Sequence, residues 1–188
     1  MEDLKKWKDS PLWDDEASKN DYAYPLALQA NVALIEGKRL AVGIPDEEVY
    51  RRGPFVCAKS PSSHIGPFKW ATDFLVPDGT PVYSAREGVT IEIHQDSETW
   101  GDGPKFQDKL NYMTIEHDNG EYTQYCHLAK RSVWDSGLSL GACIRRGRQI
   151  AVVGKTGWTD RDHLHFIVFR IAQNESPFGF KSLQPRFI

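Results

Sequence analysis

From about residue 54 onward, the sequence is a succession of short runs rich in β-branched and aromatic residues. Runs such as GVTIEIH, YMTIEHD and EYTQYCHL have the length and composition of strands, and the clusters between runs, such as PDGT and HDNGE, are typical of turns. No long apolar pattern with the helical period follows residue 55. The pattern therefore predicts a mainly β fold, an antiparallel sheet or sandwich core with few short helices, rather than an α/β fold.

The chain of 188 residues has the length of one domain with appended segments. We divide it into an N-terminal arm with short strands over residues 1–53, a main domain over residues 54–172 and a C-terminal extension over residues 173–188. Within the arm, residues 1–22 are expected to be loosely packed, and residues 23–45 are expected to form two short strands around a turn at EGKR. The segment PDEEVYRR predicts a short helical turn.

Composition and charge exclude several classes of partner. The formal net charge is -3, so no basic surface excess indicates binding to nucleic acid or to an anionic membrane. The apolar runs are too short and too interrupted to form a transmembrane segment. The N-terminal sequence MEDLKKWKDSPLWDDE is too charged for a signal peptide, so the protein either stays inside the cell or has lost a signal. The oligomeric state is left open.

The segment TDRDHLHFIV contains two histidines, His163 and His165, two positions apart. In a strand, residues i and i+2 point to the same face, so both imidazoles are expected on one side of a sheet. Burying two imidazoles side by side is unfavourable unless they bind a ligand or form hydrogen bonds. A pair of hydrogen-bonded surface histidines is the alternative that this motif alone leaves open.

A third histidine, His127, occurs in the strand-like segment YTQYCHL. If the strand continues through His127, this side chain shares a face with Tyr125, and Cys126 points to the opposite face. The side chains of Cys126 and His127 would then diverge, so they are not expected to act as a nucleophile and its base. Cys126 is instead expected to be a small buried hydrophobic residue.

Asp73 lies inside the largely apolar run ATDFLV, and His64 lies upstream in a loop rich in serine, glycine and proline. A carboxylate buried without a partner is unfavourable, and a divalent cation is one such partner. An aspartate that caps a turn or pairs with a nearby lysine is the alternative. Two imidazoles and one carboxylate, with the fourth position left to water, form the pattern of a catalytic zinc site.

Three stretches of the chain, taken together, resemble a known family. These are HIGPFKWATDFLVPDGTPVYSAREGV, YTQYCHL and GLSLGACIRRGRQIAVVGKTGWTDRDHLHF, in this order. They resemble the M23 metallopeptidases, the LytM/lysostaphin-type zinc endopeptidases, over roughly residues 54–170. The resemblance implies an all-β core with a groove across a sheet, and hydrolysis of short peptide bonds, typically in bacterial cell-wall crosslinks.

The same resemblance implies roles for individual residues. His64, Asp73 and His165 resemble the ligands of Zn²⁺, and His127 and His163 resemble the two catalytic histidines. A peptidoglycan substrate would imply an extracytoplasmic location, either periplasmic or secreted. Two alternatives are a non-catalytic M23-like regulator or binding domain of cell-wall hydrolases, and a metallohydrolase that acts on another substrate.

The chain departs from the usual family pattern at two places near the expected site. The first ligand and the aspartate are commonly four positions apart in the family, but Lys69 occupies that position here. The IGPFK loop must therefore bring His64 back towards Asp73. The Gly-Pro pair that often precedes the HLH motif is replaced by Arg161 and Asp162, so the rim of the groove is expected to differ.

Overall fold

The computed structural model of the chain describes residues 10–176 and 178–188. Its strands are β1 (Ala17–Tyr22), β2 (Val49–Arg52), β3 (Phe55–Ala58), β4 (Thr72–Phe74), β5 (Pro81–Tyr83), β6 (Gly88–His94), β7 (Trp100–Gly101), β8 (Tyr112–Glu116), β9 (Glu121–Cys126), β10 (Cys143–Ile144), β11 (Gln149–Val152), β12 (Gly157–Trp158), β13 (Leu164–Ile171), β14 (Phe180–Ser182) and β15 (Gln184–Phe187). The helices are α1 (Ala30–Leu40) and α2 (Ser132–Asp135), and 3₁₀ turns span Pro11–Trp13, Asp46–Glu48, Gly66–Phe68, Pro104–Lys109 and Asp118–Gly120. None of the helices described is long and apolar enough to cross a lipid bilayer.

A nine-stranded sheet forms the centre of the fold, which is mainly β as the sequence pattern predicts. Its strand order is β10-β6-β8-β9-β13-β4-β3-β2, and β14 pairs with the end of β13. All of these pairs are antiparallel. Strand β13 is central, because it pairs with β9 along one edge and with β4 and then β14 along the other. Away from this sheet, β1 pairs with β15, β5 with β11 and β7 with β12.

The turn HDNGEY connects two adjacent strands, as its sequence predicts. Strands β8 and β9 pair from Tyr112↔Cys126 to Glu116↔Tyr122. Asn119 and Gly120 adopt positive φ angles of 62° and 69° in the connection. Asparagine and glycine tolerate this left-handed conformation better than other residues, which explains why the turn forms here.

The main hydrophobic core lies against one face of the central sheet. Leu164 and Phe166 of β13 are fully buried in it, together with Phe74 of β4 and Tyr125 of β9. The rings of Tyr125 and Phe166 are 5.3 Å apart, and aromatic contacts of this kind add to the hydrophobic contribution of the core. Because strand residues alternate between faces, His165 between Leu164 and Phe166 is turned to the opposite face.

The expectation of two short strands over residues 23–45 is wrong, because residues 30–40 of this segment form helix α1. The helix packs against Val56 and Leu75 with an apolar side that includes Leu34. Gly37 allows close approach, since a Cβ atom at this position would lie 2.7 Å from the Cβ of Val56. The residues EGKR, which resembled a turn, belong to the last turns of the helix. Tertiary packing therefore overrides a weak local signal.

The expectation that residues 1–22 are loosely packed is also wrong where the structure describes them. Residues 17–22 form β1, and the ring of Tyr22 is completely buried in the main core. Residues 1–9 lie outside the described part of the chain. In PDEEVYRR, a 3₁₀ turn spans only Asp46–Glu48, and the following residues form β2.

Candidate metal centre

Asp73 and His165 meet through the register of two neighbouring strands. Asp73 on β4 lies directly opposite His165 on β13. Residues that are directly opposite on antiparallel strands share a face, so both side chains extend from the face of the sheet away from the main core. The Asp73 Oδ1 and His165 Nδ1 atoms are 2.7 Å apart.

His64 reaches this pair from the loop between β3 and β4. The backbone N–H of His64 donates to the carbonyl oxygen of Ser60, and Gly66 supports the next bend with a φ angle of 58°. The His64 Nε2 atom lies 3.1 Å from Asp73 Oδ2. The Lys69 ammonium instead contacts Asp15 at 2.6 Å, so the loop brings His64, and not Lys69, to the aspartate.

These three side chains fit a divalent metal ion. One potential ligand atom from each of His64, Asp73 and His165 lies within 4.8 Å of the other two. His64 is only 2% exposed, and among the described residues neither of its ring nitrogens has a hydrogen-bond partner. A buried imidazole that forms no hydrogen bond is unfavourable, and a metal ion held together with Asp73 would satisfy one of its nitrogens. Two imidazole nitrogens and one carboxylate oxygen are a donor set suited to zinc.

The ionisation of the cluster favours metal binding. Burial alone would raise the pKa of the Asp73 carboxyl, but His64, His163 and His165, when protonated, outweigh this effect and hold the pKa well below its ordinary value. Burial lowers the pKa of His165, although the Asp73 carboxylate partly opposes the shift. A carboxylate and a neutral imidazole are the forms that bind metal ions.

His127 reaches the same groove by leaving the strand geometry. Strand β9 ends at Cys126, and His127 adopts a positive φ angle of 61°. The prediction that His127 shares a face with Tyr125, and Cys126 the other, is therefore wrong. Tyr125 lies in the core, whereas Cys126 and His127 both line the groove, with Cys126 opposite His165 across the strand pair. Alternation holds only inside a regular strand.

His127 and His163 stand beside the candidate metal centre with their tautomers fixed by the backbone. His127 Nδ1 donates to the carbonyl oxygen of Thr156 at 2.7 Å, and His163 Nδ1 donates to that of Arg161 at 3.0 Å. A carbonyl oxygen only accepts, so Nδ1 carries the proton and Nε2 keeps its lone pair in both rings. The two ring centres are 4.4 Å apart.

The environment makes His127 a neutral base. Burial lowers the pKa of His127 well below its ordinary value, and the nearby His163 and His165 lower it further. The neutral ring can accept a proton through Nε2 from a water molecule at hydrogen-bond distance.

Thr159 supports His163 and was not identified from the sequence. Its hydroxyl donates to the carbonyl oxygen of Arg161 at 2.8 Å and lies 3.4 Å from His163 Nδ1. The spacing Thr-x-Arg in a turn-like segment is the signal that indicates such a side-chain-to-backbone bond. Thr159 thus holds in place the carbonyl that fixes the His163 tautomer.

All five histidine and aspartate side chains converge on one side of the sheet, four of them on an open groove with a volume of about 560 Å³. The groove has an apolar and aromatic contribution from Ile44, Leu75 and Trp158, and carboxylates from Glu48, Asp102 and Asp160. Asp73, His127, His163 and His165 also line it, whereas His64 is buried behind them.

The fold and the site together define an antiparallel sheet that carries a His/Asp/His donor set, able to hold a metal ion, beside two further histidines. Comparison with known families identifies the particular family. The model of peptidase family M23 matches residues 67–178, and the chain belongs to this family. The resemblance seen in the sequence is therefore confirmed. His64 lies just before the matched range.

Relatives with curated names include peptidoglycan DD-endopeptidases of Vibrio cholerae serotype O1. ShyB is 37% identical over 97 residues, which cover 52% of this chain and 19% of that protein. ShyA is 34% identical over 95 residues, which cover 50% and 19% respectively. The chain thus spans less than a quarter of the length of these relatives. A solved zinc-containing peptidase from Vibrio cholerae is 32% identical, with a TM-score of 0.43, and the match covers 58% of this chain and 29% of that one.

Proposed function

We propose that this protein is a zinc-dependent endopeptidase that hydrolyses short peptide bonds in peptidoglycan crosslinks or stem peptides. One observation carries the proposal: His64, Asp73 and His165 converge at one point, and His127 and His163 lie beside this point in the groove that Asp73 and His165 also line. The named relatives ShyB and ShyA are peptidoglycan DD-endopeptidases, which supports a cell-wall substrate.

In this proposal, His64, Asp73 and His165 hold the metal. Zinc, when bound, supplies Lewis acidity, which polarises a carbonyl group and lowers the pKa of water to about 7. The carboxylate form of Asp73 neutralises part of the metal charge. The burial of His64 limits exchange with solvent at this ligand. The groove leaves the other side of the centre accessible to an extended peptide.

His127 and His163 carry the proton transfers. His127 is neutral and has a free Nε2 lone pair, so it accepts the proton of the attacking water as a general base. His163 is held in the matching tautomer, and once its free Nε2 takes up a proton, the Nε2–H would donate to the oxyanion that develops on the scissile carbonyl. His127 would then pass the proton of the attacking water from Nε2 to the leaving amine, which completes the hydrolysis and returns His127 to its neutral form. A peptidoglycan substrate implies that the protein works outside the cytoplasmic membrane.

Zinc stoichiometry measured together with peptidoglycan turnover tests this function. We expect one zinc per chain and release of new amino groups from purified peptidoglycan. His127→Ala and His163→Ala should retain zinc and lose about 10²- to 10⁴-fold in kcat, the range that general acid–base catalysis supplies. Near-normal kcat in both variants would remove the histidines from the mechanism.

The other outcomes of the same experiment separate the alternatives. Binding to peptidoglycan without turnover by the zinc-loaded protein would identify a non-catalytic regulator or binding domain of cell-wall hydrolases. One zinc per chain with turnover of other peptides, but none of peptidoglycan, would identify a metallohydrolase with a different substrate.

A further inference from the structure

Arg161 is the first residue of the pair that replaces the Gly-Pro often found in the family, and its side chain makes contacts that glycine cannot make. One guanidinium nitrogen donates to the carbonyl oxygens of Leu40 at 2.9 Å and Val42 at 3.2 Å. The remaining nitrogens contact the carboxylate of Asp160. Carbonyls at the C-terminal end of a helix lack partners within the helix, and a cation satisfies them well. Arg161 therefore fastens the end of α1 to the loop before β13.

The backbone of Arg161 takes part in the candidate site at the same time. Its carbonyl oxygen accepts the hydrogen bonds from His163 and Thr159, and its N–H faces the Thr159 hydroxyl at 3.3 Å. One residue thus joins the N-terminal segment to the turn that holds His163. Because the backbone contacts do not involve the guanidinium, a side-chain substitution removes the link to α1 and leaves the support of His163 intact.

The segment that follows the contacts between Arg161 and the end of α1 lines the groove. Residues 41–48 run from the end of α1 to β2, and Ile44 and Glu48 face the groove that also contains Asp73 and the histidines. The far end of the segment is held by a hydrogen bond from the N–H of Lys59 to the carbonyl oxygen of Glu48. Residues 41–48 lie outside the range that matches the family model, so this side of the groove is contributed by the N-terminal part of the chain.

We propose that residues 41–48, held in place by Arg161, form a substrate-contacting wall that determines which peptides fit the groove. The inference rests on the proposed endopeptidase function. Ile44 supplies apolar contact to one flank of an extended peptide, and Glu48 supplies a carboxylate near it. The wall binds residues on one side of the scissile bond in the ground state and the transition state alike, so it contributes to KM rather than to kcat.

The test compares Arg161→Met and Ile44→Ala with a matched control, Arg86→Met. Arg86 also bridges a carboxylate, that of Asp118, and a backbone carbonyl, that of Asp21, but it does not line the groove. Cleavage of a purified crosslinked peptidoglycan fragment is followed by chromatography. For the two groove variants we expect KM to rise about fivefold to tenfold, as for loss of roughly one apolar contact, with kcat within about twofold of wild type and unchanged zinc content.

Hydrogen exchange on the metal-free protein provides a second measurement that is independent of activity. Arg161→Met should accelerate amide exchange in residues 41–48, and Arg86→Met should not. Wild-type protein without any cleavage would refute the proposed function. If the wild type cleaves the fragment, three results would each refute the wall alone. These are an unchanged KM in both groove variants, an equal rise in KM in Arg86→Met, and unaltered amide exchange at residues 41–48 in Arg161→Met.

Discussion

Replacing the buried carboxylate of Glu121 should destabilise the whole fold, because this side chain anchors the N-terminal strand. Glu121 is only 2% exposed. Its carboxylate accepts hydrogen bonds from the backbone N–H groups of Lys19 at 2.5 Å and Asn20 at 3.1 Å, and from the Tyr22 hydroxyl at 2.9 Å. These donors all belong to β1, which pairs with β15 at the other end of the chain.

The variant Glu121→Gln leaves one acceptor oxygen and introduces an amide NH₂ group. If the amide oxygen remains opposite Asn20 and Tyr22, the NH₂ group faces the N–H of Lys19, and two donors oppose each other. One hydrogen bond to a charged group, worth about 1.5–3 kcal/mol, is lost, and the other two weaken. The smaller penalty for burying a neutral amide offsets part of this loss. We expect the free energy of unfolding to fall by about 2–4 kcal/mol.

Urea unfolding followed by tryptophan fluorescence, at fixed zinc concentration, measures this change. Glu175→Gln is the matched control, because Glu175 is an exposed carboxylate that pairs with Arg170 at 2.6 Å. An exposed pair contributes at most about 1 kcal/mol. A loss below about 1 kcal/mol in Glu121→Gln, or a loss equal to that of the control, would contradict the anchoring role and the view that residues 17–22 belong to the core.

Three further predictions concern the site and its support. His64→Ala should lower zinc affinity by more than about 100-fold, because about 100-fold is the upper range for loss of a residue that only supports a ligand. The control variant Lys69→Ala should retain zinc by metal analysis, and full zinc occupancy in His64→Ala would exclude His64 as a ligand. Thr159→Val should lower kcat about tenfold with little change in KM, and Thr159→Ser should keep kcat near the wild-type value because it retains the hydroxyl. A low kcat in Thr159→Ser as well would indicate a packing defect instead. Burial lowers the pKa of His117, so protonation favours the unfolded state and stability falls as the pH drops through about 6.5. His117→Gln should lose less stability than wild type between about pH 7.5 and 5.5 in urea titrations, and parallel curves would refute the assignment.

The strand content and the turns follow from local sequence. Short β-branched and aromatic runs separated by glycine, proline and aspartate leave few alternatives to an antiparallel sheet, and the Asn119-Gly120 turn has a local steric reason. Helix α1 was missed because its apolar pattern is weak and short. Its formation depends on Val56 and Leu75, which are distant in sequence, and on the absence of a side chain at Gly37.

The residues of the candidate site are recognisable from the sequence through motif resemblance, and period-2 alternation correctly predicts that His163 and His165 lie on one side. The sequence alone does not determine register, so only the tertiary structure decides that Asp73 lies opposite His165. The positive φ angle of His127 likewise arises where a strand ends, and strand alternation predicted the wrong face. Residue types determine which chemistry is available, because donor atoms and charges belong to the side chains. Strand pairing and loop paths determine which of those atoms meet, because they depend on contacts between residues far apart in the chain.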